Sequence, residues 1–193
     1  MKRYVWVIVV LAICFTGIGG TYAYITVSSK AHNIITTGAV KIAVEEWQRS
    51  GKEILPYPKE PVAVMPGRSV SKIVTVRNLE KACYVRARIE ATVIDRDGRE
   101  IPLSYNAMEE LLRMDIAEDF WKQKEDTDPW WYYYRVVSEQ DVTEPLFESV
   151  TFAGKEMDNV FQGCSIEIHV AAQAVQSDNN TASAMSADGW PEE

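Results

Sequence analysis

Apolar and polar side chains alternate with a period of two over long stretches of this chain. In residues 84–93, Val85, Ala87, Ile89, Ala91 and Val93 share one parity, while Tyr84, Arg86, Arg88, Glu90 and Thr92 take the other. Successive side chains of an extended backbone point to opposite sides, so the pattern predicts a strand with one face in a core and one in water. Asp95-Arg96-Asp97-Gly98 follows as a turn in which the glycine can supply positive φ, and Ile101-Pro102-Leu103 begins a return strand. Ile166, Ile168, Val170, Ala172 and Ala174 alternate with Ser165, Glu167, His169, Ala171 and Gln173, which predicts a second half-buried strand. Further strands are expected at 39–46, 70–77, 130–137 and 146–152, set apart by breakers at 56–61, Met65-Pro66-Gly67-Arg68, Asp128-Pro129 and Gly163. Residues 106–117 carry a helical period through Met108, Leu111, Leu112 and Asp115. The expected fold is all-β, an antiparallel β-sandwich of jelly-roll type with a short helical insertion.

The N-terminus has a different pattern. Lys2 and Arg3 precede an apolar run at 4–15 (YVWVIVVLAICF), after which Gly17, Gly19 and Gly20 lead into Thr21-Tyr22-Ala23. Basic start, apolar middle and small residues at the cut are the order of a secretory signal peptide. Thr21 and Ala23 would fill the −3 and −1 positions, so the mature chain would begin at Tyr24. A retained membrane anchor is the alternative, since no charge lies between Arg3 and Lys30. Against it, the strongly apolar part stops near Phe15, and the glycines suit cleavage better than a helix. Either way the bulk of the chain is exported, and the membrane is met only through the precursor's signal segment. The expected division is a signal at 1–23, an extended segment at 24–36, a sandwich at 37–176 and a loose, polar, acidic tail at 177–193.

The length, 193 residues, suits one domain plus a targeting segment, and 47% hydrophobic residues permit a packed core. There are 20 Lys and Arg against 28 Asp and Glu, a formal charge of −8, with no basic block to neutralise a phosphate backbone. Nucleic acid is therefore not an expected partner. Loss of residues 1–23 removes Lys2 and Arg3 and no acidic residue, which takes the charge to −10. Of three cysteines, Cys14 lies in the signal. Cys83 and Cys164 remain, an even count that permits one disulfide in an oxidising compartment and equally two buried thiols.

Catalytic machinery is not evident. His32 and His169 are the only histidines, and neither belongs to an HExxH helix. Glu167 and His169 share a strand face without a third ligand in register, so a solvated face is the expectation and no metal or cofactor is assigned. Asp95-Arg96-Asp97-Gly98 resembles the start of a calcium loop, but the later ligand positions are absent. No GxSxG elbow, P-loop or GxGxxG occurs. The run Trp130-Trp131-Tyr132-Tyr133-Tyr134 is the least ordinary stretch. As a strand it would send Trp130, Tyr132 and Tyr134 to one face, an aromatic surface for sugars or a neighbouring subunit, or else core on one side and cover on the other.

Several of these segments, in this order, resemble the TasA/camelysin family of exported proteins whose signal is cut by a SipW-type signal peptidase. Gly20-Thr21-Tyr22-Ala23 is similar to the family's GTxA junction, and Thr37-Gly38-Ala39-Val40-Lys41-Ile42 to its first structural strand. Met65-Pro66-Gly67-Arg68 with the strand ending at Asn78 is similar to its PGD turn and following strand. Val160-Phe161-Gln162-Gly163 and Ser165-Ile166-Glu167-Ile168 are similar to its closing strand. Arg68 stands where the family pattern has Asp, the two exported cysteines are not family hallmarks, and 106–128 matches nothing in it. The resemblance implies a secreted jelly-roll protein of the extracellular matrix, a biofilm fibre subunit that assembles when the N-terminal strand of one copy completes the sheet of the next. Here the donor would lie in 24–35, with Tyr24, Ile25 and Val27 as assembly residues; a leader without structure is the alternative. Other readings are an exported metal-dependent peptidase, as camelysin naming implies, although this chain has no visible machinery for it, and a surface adhesin or carbohydrate-binding module built on the aromatic run.

Overall fold

The computed structural model describes residues 25–33, 40–155, 157, 161 and 163–191. The signal segment, its expected cut at Thr21 and Ala23, and Tyr24 lie outside the described residues. The fold is all-β, with two mostly antiparallel sheets. Its elements are β1 (Ile25–Asn33), β2 (Ile42–Ser50), β3 (Glu53–Pro56), β4 (Val62–Val64), β5 (Ser69–Asn78), β6 (Cys83–Ile94), β7 (Glu100–Pro102), helix α1 (Tyr105–Leu111), β8 (Leu112–Met114), β9 (Trp121–Lys122), β10 (Trp130–Tyr133), β11 (Phe147–Phe152), β12 (Ser165–Gln176) and a 3-10 turn at Ala184–Ser186. One sheet runs β4-β1-β12-β6-β10-β9 with β7 also on β6, and the other runs β3-β2-β5-β11-β8.

The two strands with the clearest alternation form the spine. β6 and β12 pair antiparallel from Cys83↔Gln176 to Ile94↔Ser165. Val85, Ala87, Ala91, Ile166, Ile168, Val170, Ala172 and Ala174 are buried on one side, where they meet Ile42, Val44, Val74, Val76, Phe147 and Val150 of the second sheet in one apolar cluster. Burial of these alternating positions is the main drive for the two sheets to face each other. The β6–β7 turn forms as expected: Asp95 accepts from the Asp97 and Arg99 amides at 2.9 and 2.8 Å, and Gly98 sits at φ 80°. The amide of Arg99, then those of Asp97 and Gly98, hold the Asp95 carboxyl below its ordinary pKa.

Other expectations are corrected. Helix α1 ends at Leu111, and Leu112–Met114 leaves it as strand β8 along β11. Leu111 and Leu112 both reach the core, so the apolar pattern fits either conformation, and pairing to the edge of β11 decides for the strand. β10 stops at Tyr133 rather than at residue 137, because the Tyr134 amide bonds the Phe120 carbonyl and Val137 bridges separately to Cys83. The tail is not loose: Asn180 ties Gln176, Thr181 and Asp188, and the Tyr84 hydroxyl donates to the Thr181 carbonyl at 2.7 Å. Among the described residues no helix is long and apolar enough to cross a membrane.

Candidate functional site

Strand β1 neither hangs free nor leaves its sheet incomplete. It lies between β12, to which it pairs in parallel from Thr26↔Ser165 to Asn33↔Ala172, and β4, which covers it at Ile25, Thr26 and Val27. Ile25 and Val27, two positions apart, are fully buried in the main core, and Val64 of β4 packs there as well. Every other strand pairing among the described residues is antiparallel. Beyond Val27 the outer edge of β1 meets no strand among the described residues. The expectation of a groove awaiting a neighbour's strand is thus corrected, since the chain's own segment fills it. Val62 and Val64, which hold that segment from the far side, carry a short apolar alternation between Pro61 and Pro66, a signal too short to be read as a strand between the breakers at 56–61 and 65–68.

Cys83 and Cys164 are both buried and neither is disulfide-bonded. Cys83 pairs with Gln176 at one end of the spine, and Cys164 precedes Ser165 at the other. At ~3.3 Å per residue the ladder separates them by ~40 Å, far beyond disulfide reach, so the possible pairing is corrected. Burial pushes the Cys83 thiol up to about 12, which leaves it unreactive.

The aromatic run is divided among four environments, with Trp131 half-buried at the margin of the main core. Trp130 and Tyr132 face outward from the first sheet but are buried beneath the tail, with Tyr84, Val175, Ala184 and Ala187. Arg86 rises between Trp130 and Trp190, its guanidinium carbon 4.2 and 4.7 Å from their ring centroids. Its nitrogens donate to Gln173 Oε1 at 2.9 and 2.6 Å, to the Tyr132 hydroxyl and to the Pro191 carbonyl. Tyr133 enters the main core beside Trp121, and Tyr134, past the strand's end, is exposed beside Phe120 and Arg135. Trp130, Tyr132 and Tyr134 therefore do not form one open platform, and the sugar-binding expectation loses its surface. The tail's Trp190 was the signal for this lid, a lone large aromatic in a polar stretch.

The histidines lie on neighbouring strands: Lys30 is opposite His169, and His32 opposite Ala171. His169 Nε2 is 3.9 Å from Glu167 Oε2. Among the described residues no three His, Cys, Asp or Glu side chains converge as a metal site. Comparison with known protein families, with curated proteins and with solved structures finds no match to this chain.

Proposed function

We propose that this chain is an exported structural subunit of an extracellular fibre, built on a jelly-roll-type sandwich, which polymerises when β1 leaves its own sheet and enters that of the next copy. The observation that carries this reading is the seat of β1. It joins the body in parallel along β12, its far side is held, among the described residues, by three residues of β4, and it places Ile25 and Val27 wholly in the core. Withdrawal of such a strand uncovers the edge of β12 and an apolar slot, and another copy's identical segment is complementary to both. Exchange of this kind is head-to-tail and does not close, so its product is a filament. Secretion and cleavage before Tyr24 by a SipW-type peptidase would free the segment for exchange.

The test uses the chain from Tyr24 onward, viewed by electron microscopy under assembly conditions. Filaments are expected; deletion of 24–35 should stop them, and the deletion variant should bind a synthetic 24–35 peptide. A chain that stays monomeric throughout, or filaments that survive the deletion, would overturn the proposal.

A further inference from the structure

A second feature lies on the opposite flank of the spine. On the side of β6 away from β12, β10 pairs at Arg86, Ala87 and Arg88, and β7 pairs at Thr92, Val93 and Ile94. Between them, Ile89 and Glu90 have no strand beside them on that side among the described residues, and Ile89 shares a cavity lining there with residues of α1 and of 112–116. The split leaves an inner cavity of about 260 Å³ whose wall includes Ile89, Met108, Leu112 and Trp131. A larger basin of about 790 Å³ adjoins it, and Tyr105, Glu109 and Trp131 line both. Trp131 is the half-buried member of an aromatic run whose Trp130, Tyr132 and Tyr133 are buried elsewhere.

The two ends of this cleft differ chemically. The inner cavity's lining includes the hydrocarbon of Ile89, Met108 and Leu112 and the Trp131 side chain, which accept an apolar chain and discriminate little among such chains, alongside Glu109 and Arg113. The basin carries the carboxylates of Glu109, Asp115, Glu118 and Asp126, and Arg113 at the inner wall is the single cation among the lining residues. Asp115 is held in place by the amides of Glu148 and Ser149, at 3.0 and 2.7 Å. We propose that this cleft binds an amphipathic organic cation, an ammonium or guanidinium on a short hydrocarbon chain, with the chain on the Ile89–Trp131 floor and the charge among Glu109, Glu118 and Asp126. An anion would meet like charge at the mouth, and a neutral chain would gain only the floor. The site shares no residue with β1 and its groove, so it stands or falls apart from the assembly proposal.

The probe is hexylammonium, titrated calorimetrically into the chain from Tyr24 onward at low salt, with hexanol and hexanoate as controls. Saturable one-to-one binding of hexylammonium is expected, with hexanol about tenfold weaker and hexanoate weaker still. Glu109→Gln with Asp126→Asn, both at exposed positions, should weaken hexylammonium about fivefold and leave hexanol unchanged. In the unaltered protein, added salt should weaken hexylammonium and spare hexanol, a readout that needs no variant. The proposal is overturned if hexylammonium gives no saturable heat, if hexanol equals it, or if neither salt nor the paired substitution separates the two.

Discussion

Lys72 has no solvent contact, although it lies on a strand whose inward positions otherwise hold Val70, Val74 and Val76. Its Nζ is 2.8 Å from Glu46 Oε1 and 4.3 Å from the centre of the Tyr57 ring. Burial lowers the Lys72 pKa, the attraction and hydrogen bond of Glu46 oppose it, and burial wins. Burial acts on Tyr57 in the other direction and, with Glu46 nearby, pushes its hydroxyl up to about 12. For a lysine the sign is direct: with the folded value below the unfolded one, the unfolded chain binds more protons between the two. Stability from this group therefore rises with pH through the window below 10.5. Lys72→Met takes this cation from Glu46 inside a largely dry site, and a loss of about 3 kcal/mol in denaturant unfolding is expected. A variant as stable as the parent would mean that the ion pair is not what holds the carboxylate there. The pair was legible in part, since Lys72 and Glu46 each interrupt the apolar parity of their strands. Residue order alone gave no means of bringing the two interruptions together.

At the scale of elements, long alternating strands were readable and short ones were not. β6 and β12 each bury one parity over twelve residues, and a pattern of that length has no other solution. β3, β4, β8 and β9 have two to four residues each and exist because a neighbouring edge offers hydrogen bonds, which local sequence cannot report. The tail was misread for a related reason: its polarity is real, and its attachment rests on Asn180, on hydrogen bonds from Tyr84 and Arg86 to its carbonyls, and on one ring. Trp190 closes the guanidinium of Arg86 against Trp130 and packs edge-on to Tyr132 at 5.9 Å. Trp190→Ala should cost about 2 kcal/mol. It should also open 177–191 to limited proteolysis before the body unfolds, because the rest of the strap buries mainly Ala184 and Ala187. Cleavage of the strap no faster than in the parent would place its attachment elsewhere.

For the whole molecule, the question is whether β1 stays home or travels. The sequence marked Ile25 and Val27 as one apolar face but could not say whose core receives it, since a segment that fits its own groove fits every copy's groove equally. Topology supplies a way to decide. The parallel ladder begins at Thr26↔Ser165, so Ile25 stands one position before it, beside Cys164, and both side chains lie in the same apolar cluster. Ile25→Cys therefore puts a thiol next to a native one, within the spacing of adjacent strands that a disulfide can span. Oxidation should tie β1 to its own β12, and Cys83, at the far end of the spine, is too distant to compete. If fibres grow by strand exchange, the oxidised variant should remain monomeric and reductant should start filament growth, while the parent responds to neither condition. The truncated side chain itself costs about 1 kcal/mol, which the reduced variant carries equally, so a difference between the two states reports the tether. Filaments growing as fast from the oxidised as from the reduced variant, with the crosslink verified by mass, would mean that assembly proceeds with every β1 in its own sheet.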